Sequence, residues 1–315
     1  MKNKTVILFD EGISAGVIEL IKSNIPEGWI LDDTIREAEV IITSNQDISS
    51  DILSKAGPNL GLILKLVPGN ATIANTQAKI VEIGEPALFG VAEHAVTLML
   101  ALSRHLLYVV KQTNAQKWIP GCETPILTDQ KKYTYNWIGL DDFGMIFGKT
   151  VGLVGFGYIG KEVAKRLKPF GTRIIYYDLI RADSKTEDEY GAEYHDLDSL
   201  LRESDFVSLH LKFTGDNDKL FSRREFGLMK PTAYLINTSR GRMVDEDALV
   251  EALASKKIGG AGLDVFYYEP FHPNHPILNM VGENVILTPH TAGTPNAQAQ
   301  QIIANQVIGL IRSYS

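Results

Sequence analysis

Three side chains suited to proton and anion chemistry each stand just past an apolar, β-branched run: Arg240 after residues 233–237, Glu269 after 260–265 and His290 after 285–288. In an open α/β sheet ligands bind beyond the carboxyl ends of the strands, so these positions converge on one crevice if the runs are parallel neighbours. A guanidinium there can hold a carboxylate through charge-assisted bonds of about 1.5–3 kcal/mol and so position the adjoining carbon. An imidazole can give a proton to an oxygen on which negative charge is growing. A carboxylate bonded to that ring favours its protonated form, so Glu269 and His290 read as one proton relay. Anchor, acid and partner are what reduction of a small 2-oxo acid by hydride requires. Taken singly, each has an ordinary alternative as a surface ion pair, a solvated loop charge or a loop histidine. Their joint placement favours the chemical reading.

The turn Gly155-Phe156-Gly157-Tyr158-Ile159-Gly160 supplies a source for the hydride. It fits GxGxxG, follows the apolar run 151–154 and precedes a helical stretch, 161–168. Such glycines permit a tight turn, let backbone N–H groups approach a pyrophosphate and allow the helix to pack on the strand. Asp178 ends the next strand, about 20 residues on, where an acid meets the adenosine ribose. A carboxylate at that position repels a 2′-phosphate, which favours NAD over NADP.

These residues need elements to hold them. Apolar runs at 5–9, 40–43, 62–67 and 80–83 alternate with helical patterns, and a second series follows at 151–154, 173–177, 206–209, 233–237, 260–265 and 285–288. That alternation marks βαβ units with parallel sheets, the second series doubly wound. Residues 91–112 read as one helix, apolar on nearly every side and so buried between layers or domains. Residues 113–148 lose periodicity and gather prolines and aromatics, consistent with a linker that covers a core edge or a subunit interface. A last helical pattern, 296–311, comes too late for another βα repeat and is expected to return to the first domain.

At 315 residues the chain has room for about two domains. Its net charge of -7 argues against a nucleic-acid footprint. A single cysteine, Cys122, allows no internal disulfide and makes the cytoplasm the default compartment. No apolar stretch approaches the ~20 residues of a membrane span.

Read together, GFGYIG with Asp178, then NTSRG (237–241), GLDVFYYEP (262–270) and TPHTAG (288–293), closely resemble the D-isomer-specific 2-hydroxyacid dehydrogenases. The similarity runs in order from about residue 84 to 293, and VAEHAVTLMLALSRH (91–105) looks like the helix that joins the two domains of that family. The resemblance implies a Rossmann cofactor domain, 101–290, inserted into a smaller flavodoxin-like α/β substrate domain made of 1–100 and 291–315. It implies NAD as cofactor, a site in the cleft and a homodimer. It makes Arg240, Glu269 and His290 the catalytic set, brings Asp264 to the nicotinamide carboxamide and lines the nicotinamide side with Thr238, Ser239 and Arg240.

The chain departs from the family in two loops. Where a Gly-Val-Gly loop commonly holds the substrate carboxylate, this chain has Val67, Pro68, Gly69 and Asn70. Pro68 has no N–H to donate, so Lys65 or Asn70 is the expected compensation, unless Lys65 is simply paired within its strand. Lys212 replaces a usual proline after His210, beside the expected adenine or ribose edge. His94, His105, His195 and His210 otherwise read as structural, and His210, at that edge, also stands among the residues expected to line the cofactor. Metal chemistry has one candidate, His272 and His275, in a proline-rich loop without a cysteine nearby, and no metal is expected. Cys122 has no identifiable base. Two other functions use the same fold: an NAD(H)-sensing corepressor and a phosphite-type dehydrogenase.

Overall fold

The computed structural model describes all residues except 1–3, 10, 33–34, 68–70, 84–85, 142, 283, 295 and 315. In chain order the elements begin β1 (Lys4–Leu8), α1 (Ala15–Asn24), β2 (Trp29–Leu31), β3 (Val40–Thr43), α2 (Ser50–Ala56), β4 (Leu62–Lys65) and β5 (Lys79–Glu82). Two helices follow, α3 (Pro86–Ser103) and α4 (Leu106–Asn114). Then come β6 (Thr150–Val154), α5 (Tyr158–Leu167), β7 (Arg173–Tyr177), α6 (Ser184–Tyr190), β8 (Ala192–Tyr194), α7 (Leu197–Glu203) and β9 (Phe206–Leu209). The chain closes with α8 (Arg223–Leu228), β10 (Tyr234–Asn237), α9 (Glu246–Ala254), β11 (Gly260–Leu263), β12 (Val285–Leu287) and α10 (Ala297–Ser313).

The chain divides into two compact units, Met1–Gly90 with Gly293–Ser315, and Val91–Ala292. The first holds a five-stranded sheet in the order β2-β1-β3-β4-β5, and every pairing in it is parallel. That is the flavodoxin-like order. Residues of β1, β3 and β4 fill both of its core clusters, and α10 contributes Ile303, Ala304, Val307, Ile308 and Ile311 to one of them.

The second unit holds seven parallel strands in the order β12-β11-β10-β9-β6-β7-β8. Counting from β6, this is the doubly wound 3-2-1-4-5-6 order extended by one strand. Successive side chains of a strand alternate faces, and here both faces are buried. Val151, Leu153, Ile174, Tyr176, Phe206 and Ile236 pack in one layer, while Val154, Ile175, Val207, Leu209 and Leu235 pack in the other. Each fully buried Leu, Ile or Val contributes about 1.5–3 kcal/mol, which explains the near-continuous apolar runs in these strands.

Two expectations change. The helix read over 91–112 is broken, because Arg104 and His105 form a turn and His105 takes a left-handed backbone, φ 47°. The apolar run ends there: α3 buries Leu98, Met99 and Leu102, whereas α4 buries no residue. The three-residue strands β2 and β8, which the periodicity does not reveal, extend the two sheets.

Candidate active site

The glycine turn is built from the end of β6 outward. Gly155 has φ 104°, and a Cβ there would stand 2.6 Å from the carbonyl carbon of His210. A Cβ on Gly160 would stand 2.2 Å from the carbonyl oxygen of Gly155. Both glycines therefore close the turn itself. Gly157 differs, since a Cβ on it would meet nothing within 4 Å. It is the N-cap of α5 and, as a glycine, gives the first amides no side-chain cap, so room is left beside the helix N-terminus. Phe156 and Ile159 point inward, Phe156 stacked on Tyr176 with ring centroids 4.1 Å apart, which leaves only their backbone for a ligand. Tyr158 stays partly exposed.

Asp178 laces this turn to the end of β7. Its Oδ2 accepts from Phe156 N at 2.7 Å and its Oδ1 from Leu179 N at 2.7 Å. Each carboxylate oxygen retains capacity for a further donor. On the other side, His210 N donates to Val154 O at 2.7 Å, and the His210 ring contacts Ser208 Oγ at 2.8 Å. Burial pushes the His210 imidazole down to about 3, so the ring beside the turn is neutral.

Asn237, buried at the end of β10, shapes the next loop. Its Oδ1 accepts from Ser239 N at 3.0 Å, and its Nδ2 donates to Arg240 O at 3.0 Å. Ser239 Oγ donates to Leu211 O at 2.6 Å, which fastens this loop to the chain after β9. The buried Thr238 Oγ1 has no hydrogen-bond partner. Arg240 is exposed, and its Nη1 donates to the Ser239 carbonyl at 2.7 Å.

The imidazole and the acid meet. His290 Nδ1 lies 2.6 Å from Glu269 Oε2, while Glu269 Oε1 accepts from Phe266 N at 2.9 Å. One oxygen anchors the carboxylate and the other orients the ring, which leaves His290 Nε2 for a substrate. The Arg240 loop adjoins this pair, because a Cβ on Gly241 would fall 1.9 Å from the carbonyl carbon of Phe266. His290 has φ 52°, a conformation that costs a non-glycine residue about 1–3 kcal/mol and needs support from its surroundings.

Asp264 gives that support. It is fully buried, and its Oδ1 accepts from Thr288 Oγ1 at 2.6 Å and Thr291 N at 3.0 Å, its Oδ2 from Ala292 N at 2.9 Å. The Asp264 carbonyl accepts from His290 N at 2.8 Å. With no exposed surface, the Asp264 carboxylate holds the loop that presents His290. His94, on α3, which the sequence reads as structural, completes the network. Its Nε2 lies 2.9 Å from Thr288 Oγ1 and 3.6 Å from Asp264 Oδ1. The available signal was a histidine set in the apolar run of that helix.

Other candidates fall elsewhere. Val67 follows β4 in the first unit, and Pro68, Gly69 and Asn70 lie outside the described residues. Lys65 is buried and paired with Glu82 at 2.8 Å, so its strand uses it structurally. His275 Nε2 lies 3.3 Å from Glu246, and His272 Nδ1 accepts from Asn274 N. Among the described residues no group of three or more His, Cys, Asp or Glu could hold a metal ion, and no helix is long and apolar enough to cross a membrane.

Residues 96–292 match the family described as D-isomer specific 2-hydroxyacid dehydrogenase, NAD binding domain. A glyoxylate reductase from Thermococcus litoralis is 36% identical over 297 residues, covering 92% of this chain and 85% of the relative. The chain belongs to the D-isomer specific 2-hydroxyacid dehydrogenases. A hydroxypyruvate reductase from Thermotoga maritima is 36% identical over 282 residues, covering 87% of this chain and 84% of the relative. A solved protein from Pyrococcus horikoshii OT3 superposes with a TM-score of 0.74 at 26% identity, covering 99% of this chain and 92% of that one.

The cofactor of these dehydrogenases is NAD, and the residues present fit it. The open space at Gly157, the uncapped start of α5 and the unpartnered Thr238 Oγ1 are each accounted for by a dinucleotide. The amides that open α5 would hold the pyrophosphate, and Asp178 the adenosine ribose.

Proposed function

We propose that this dehydrogenase interconverts a small 2-oxo acid and its D-2-hydroxy acid, with His290 as the proton donor, Glu269 as the partner that orients it and Arg240 as the anchor for the substrate carboxylate. The observation that carries this reading is the 2.6 Å contact between His290 and Glu269 at the carboxyl ends of neighbouring strands. When bound, the nicotinamide supplies or takes up the hydride. Every other task falls to the chain. Arg240 offers a planar fork that matches a carboxylate and holds the carbonyl carbon in place. His290 gives the Nε2 proton to the oxygen as charge develops there, and the Glu269 carboxylate lies against the positive ring until then. In the reverse direction the same ring takes the proton from the hydroxyl.

Asp178 supports NAD over NADP, since its charge opposes a 2′-phosphate. The names of the relatives support glyoxylate and hydroxypyruvate as first substrates. The unit made of both chain ends serves as substrate domain in this reading, and the family resemblance supports a homodimer. The single cysteine supports a reducing, cytoplasmic setting. The test is NADH absorbance with glyoxylate, hydroxypyruvate, pyruvate and bulkier 2-oxo acids. Turnover of at least one is expected. Tight NADH binding without turnover of any would overturn the reading in favour of a sensor, and phosphite-driven NADH formation would overturn the oxo-acid assignment.

A further inference from the structure

The segment that leaves β7 runs Asp178-Leu179-Ile180-Arg181. Leu179 and Ile180 are 85% and 83% exposed, so the chain passes through solvent at the point where the adenosine ribose is assigned. Arg181 is a long cation three residues beyond Asp178, and an arginine near this strand end is what accommodates a 2′-phosphate in NADP-dependent relatives of the fold. Its guanidinium is already engaged. Nε donates to Glu187 Oε1 at 2.9 Å and Nη2 to Glu187 Oε2 at 2.9 Å, a bidentate pair, and the guanidinium also lies over the Tyr194 ring at 5.6 Å.

Glu187 is itself fixed, which separates this pair from an ordinary surface ion pair. Its Oε1 also accepts from the Tyr176 hydroxyl at 2.8 Å, and that hydroxyl accepts from Ala182 N at 2.9 Å. Tyr176 is fully buried and stacks on Phe156 of the glycine turn. The carboxylate that holds Arg181 is therefore rooted in the core beneath the cofactor turn. The Arg181 guanidinium and the Tyr176 hydroxyl hold the Glu187 carboxyl well below the usual carboxylate range, so the pair stays charged at physiological pH.

We infer that Glu187 is a specificity-determining residue that keeps Arg181 from a 2′-phosphate, so that preference for NAD is set by two carboxylates: Asp178, which repels the phosphate, and Glu187, which withholds the cation that would bind it. This rests on the reading that the glycine turn binds the dinucleotide with Asp178 at the ribose. A charge-assisted guanidinium–phosphate contact corresponds to roughly tenfold or more in affinity.

The test compares the full-length wild type, Asp178→Asn, Asp178→Asn/Glu187→Gln and the triple variant that adds Arg181→Ala, using NADH and NADPH fluorescence titrations and kcat/KM with a turned-over 2-oxo acid. Asp178→Asn is expected to weaken NADH about tenfold and, by relieving the repulsion, to give NADPH only part of the full gain. Adding Glu187→Gln is expected to tighten NADPH by about tenfold, and Arg181→Ala to abolish that gain. Glu187→Ala, which cannot bond the guanidinium, should give the same gain, and retained NADH binding reports that either double variant is folded. The inference is overturned if Asp178→Asn alone gives the full NADPH gain, if neither Glu187 variant adds to it, or if the gain survives Arg181→Ala. Unchanged NADH affinity in Asp178→Asn would instead bring down the ribose assignment, and the inference with it.

Discussion

Replacing Asp264 by Asn removes a charge and little volume, and it separates two roles for one residue. The carboxylate accepts three bonds, from Thr288 Oγ1, Thr291 N and Ala292 N, in a fully buried site. An amide can serve at most one side. With its oxygen toward Thr288 and Thr291, its NH2 faces the Ala292 N–H, which loses one charge-assisted bond and leaves a buried donor unsatisfied. Those effects are about 1.5–3 and 1–3 kcal/mol, so a loss near 3 kcal/mol is reasonable after relaxation. For a unit of this size each kcal/mol moves the melting temperature by about 2–4 °C, giving a fall of roughly 6–12 °C. The left-handed backbone of His290 also loses its support, so kcat should fall in the variant that remains folded. The assay is thermal unfolding of the cofactor-free protein, followed by NADH titration and steady-state kinetics. A variant with unchanged melting temperature and weakened NADH binding would refute the reasoning and restore the carboxamide contact as the main task of Asp264.

Two glycines of the turn, Gly157 and Gly155, should separate in the same pair of assays. Gly157→Ala meets open space, so it should leave the melting temperature within about 2 °C and weaken NADH at least tenfold. Gly155→Ala is strained in φ and meets the His210 carbonyl, so it should lose several kcal/mol of stability; equal behaviour of the two would contradict the division of labour. His210 makes stability fall with acid: its folded value of about 3 lies below the 6.5 of the free side chain. Below pH 6.5 the unfolded chain binds the proton first, so stability is lost as pH falls. The full shift corresponds to about 2 kcal/mol at pH 5, trimmed to about 1 because the residue keeps some exposure. Melting curves at pH 7 and 5 should differ less for His210→Asn than for wild type, and an equal difference would rule the residue out as the source.

Much of the site was legible because its residues follow strands that are buried on both faces. Such strands appear as continuous apolar runs, and the residue after each run is placed by the sheet alone; this is how Arg240, Glu269 and His290 could be named together. Period gave no sign of β2 or β8, strands of three residues too short to carry a pattern of their own; β12, equally short, shows only because its residues fall in the apolar run 285–288. The break at His105 was hidden because Leu106, Leu107 and Val110 continue an apolar pattern that the fold leaves partly exposed. The task of Asp264 depends on burial, which a motif does not carry. His94 and Thr288 meet across most of the chain, so only the folded layers bring them together. The Arg181–Glu187 pair joins a loop to the next helix, and nothing in residue type alone says that the guanidinium is engaged.

The most direct test of the proton donor compares His290→Ala with wild type in NADH titration and in steady-state reduction of the best 2-oxo acid. If the ring acts only as charge develops on the carbonyl oxygen, kcat should fall by about 10²–10⁴ while the NADH dissociation constant changes less than threefold. A fall in kcat below tenfold, or a loss of NADH affinity as large as the loss of rate, would contradict it.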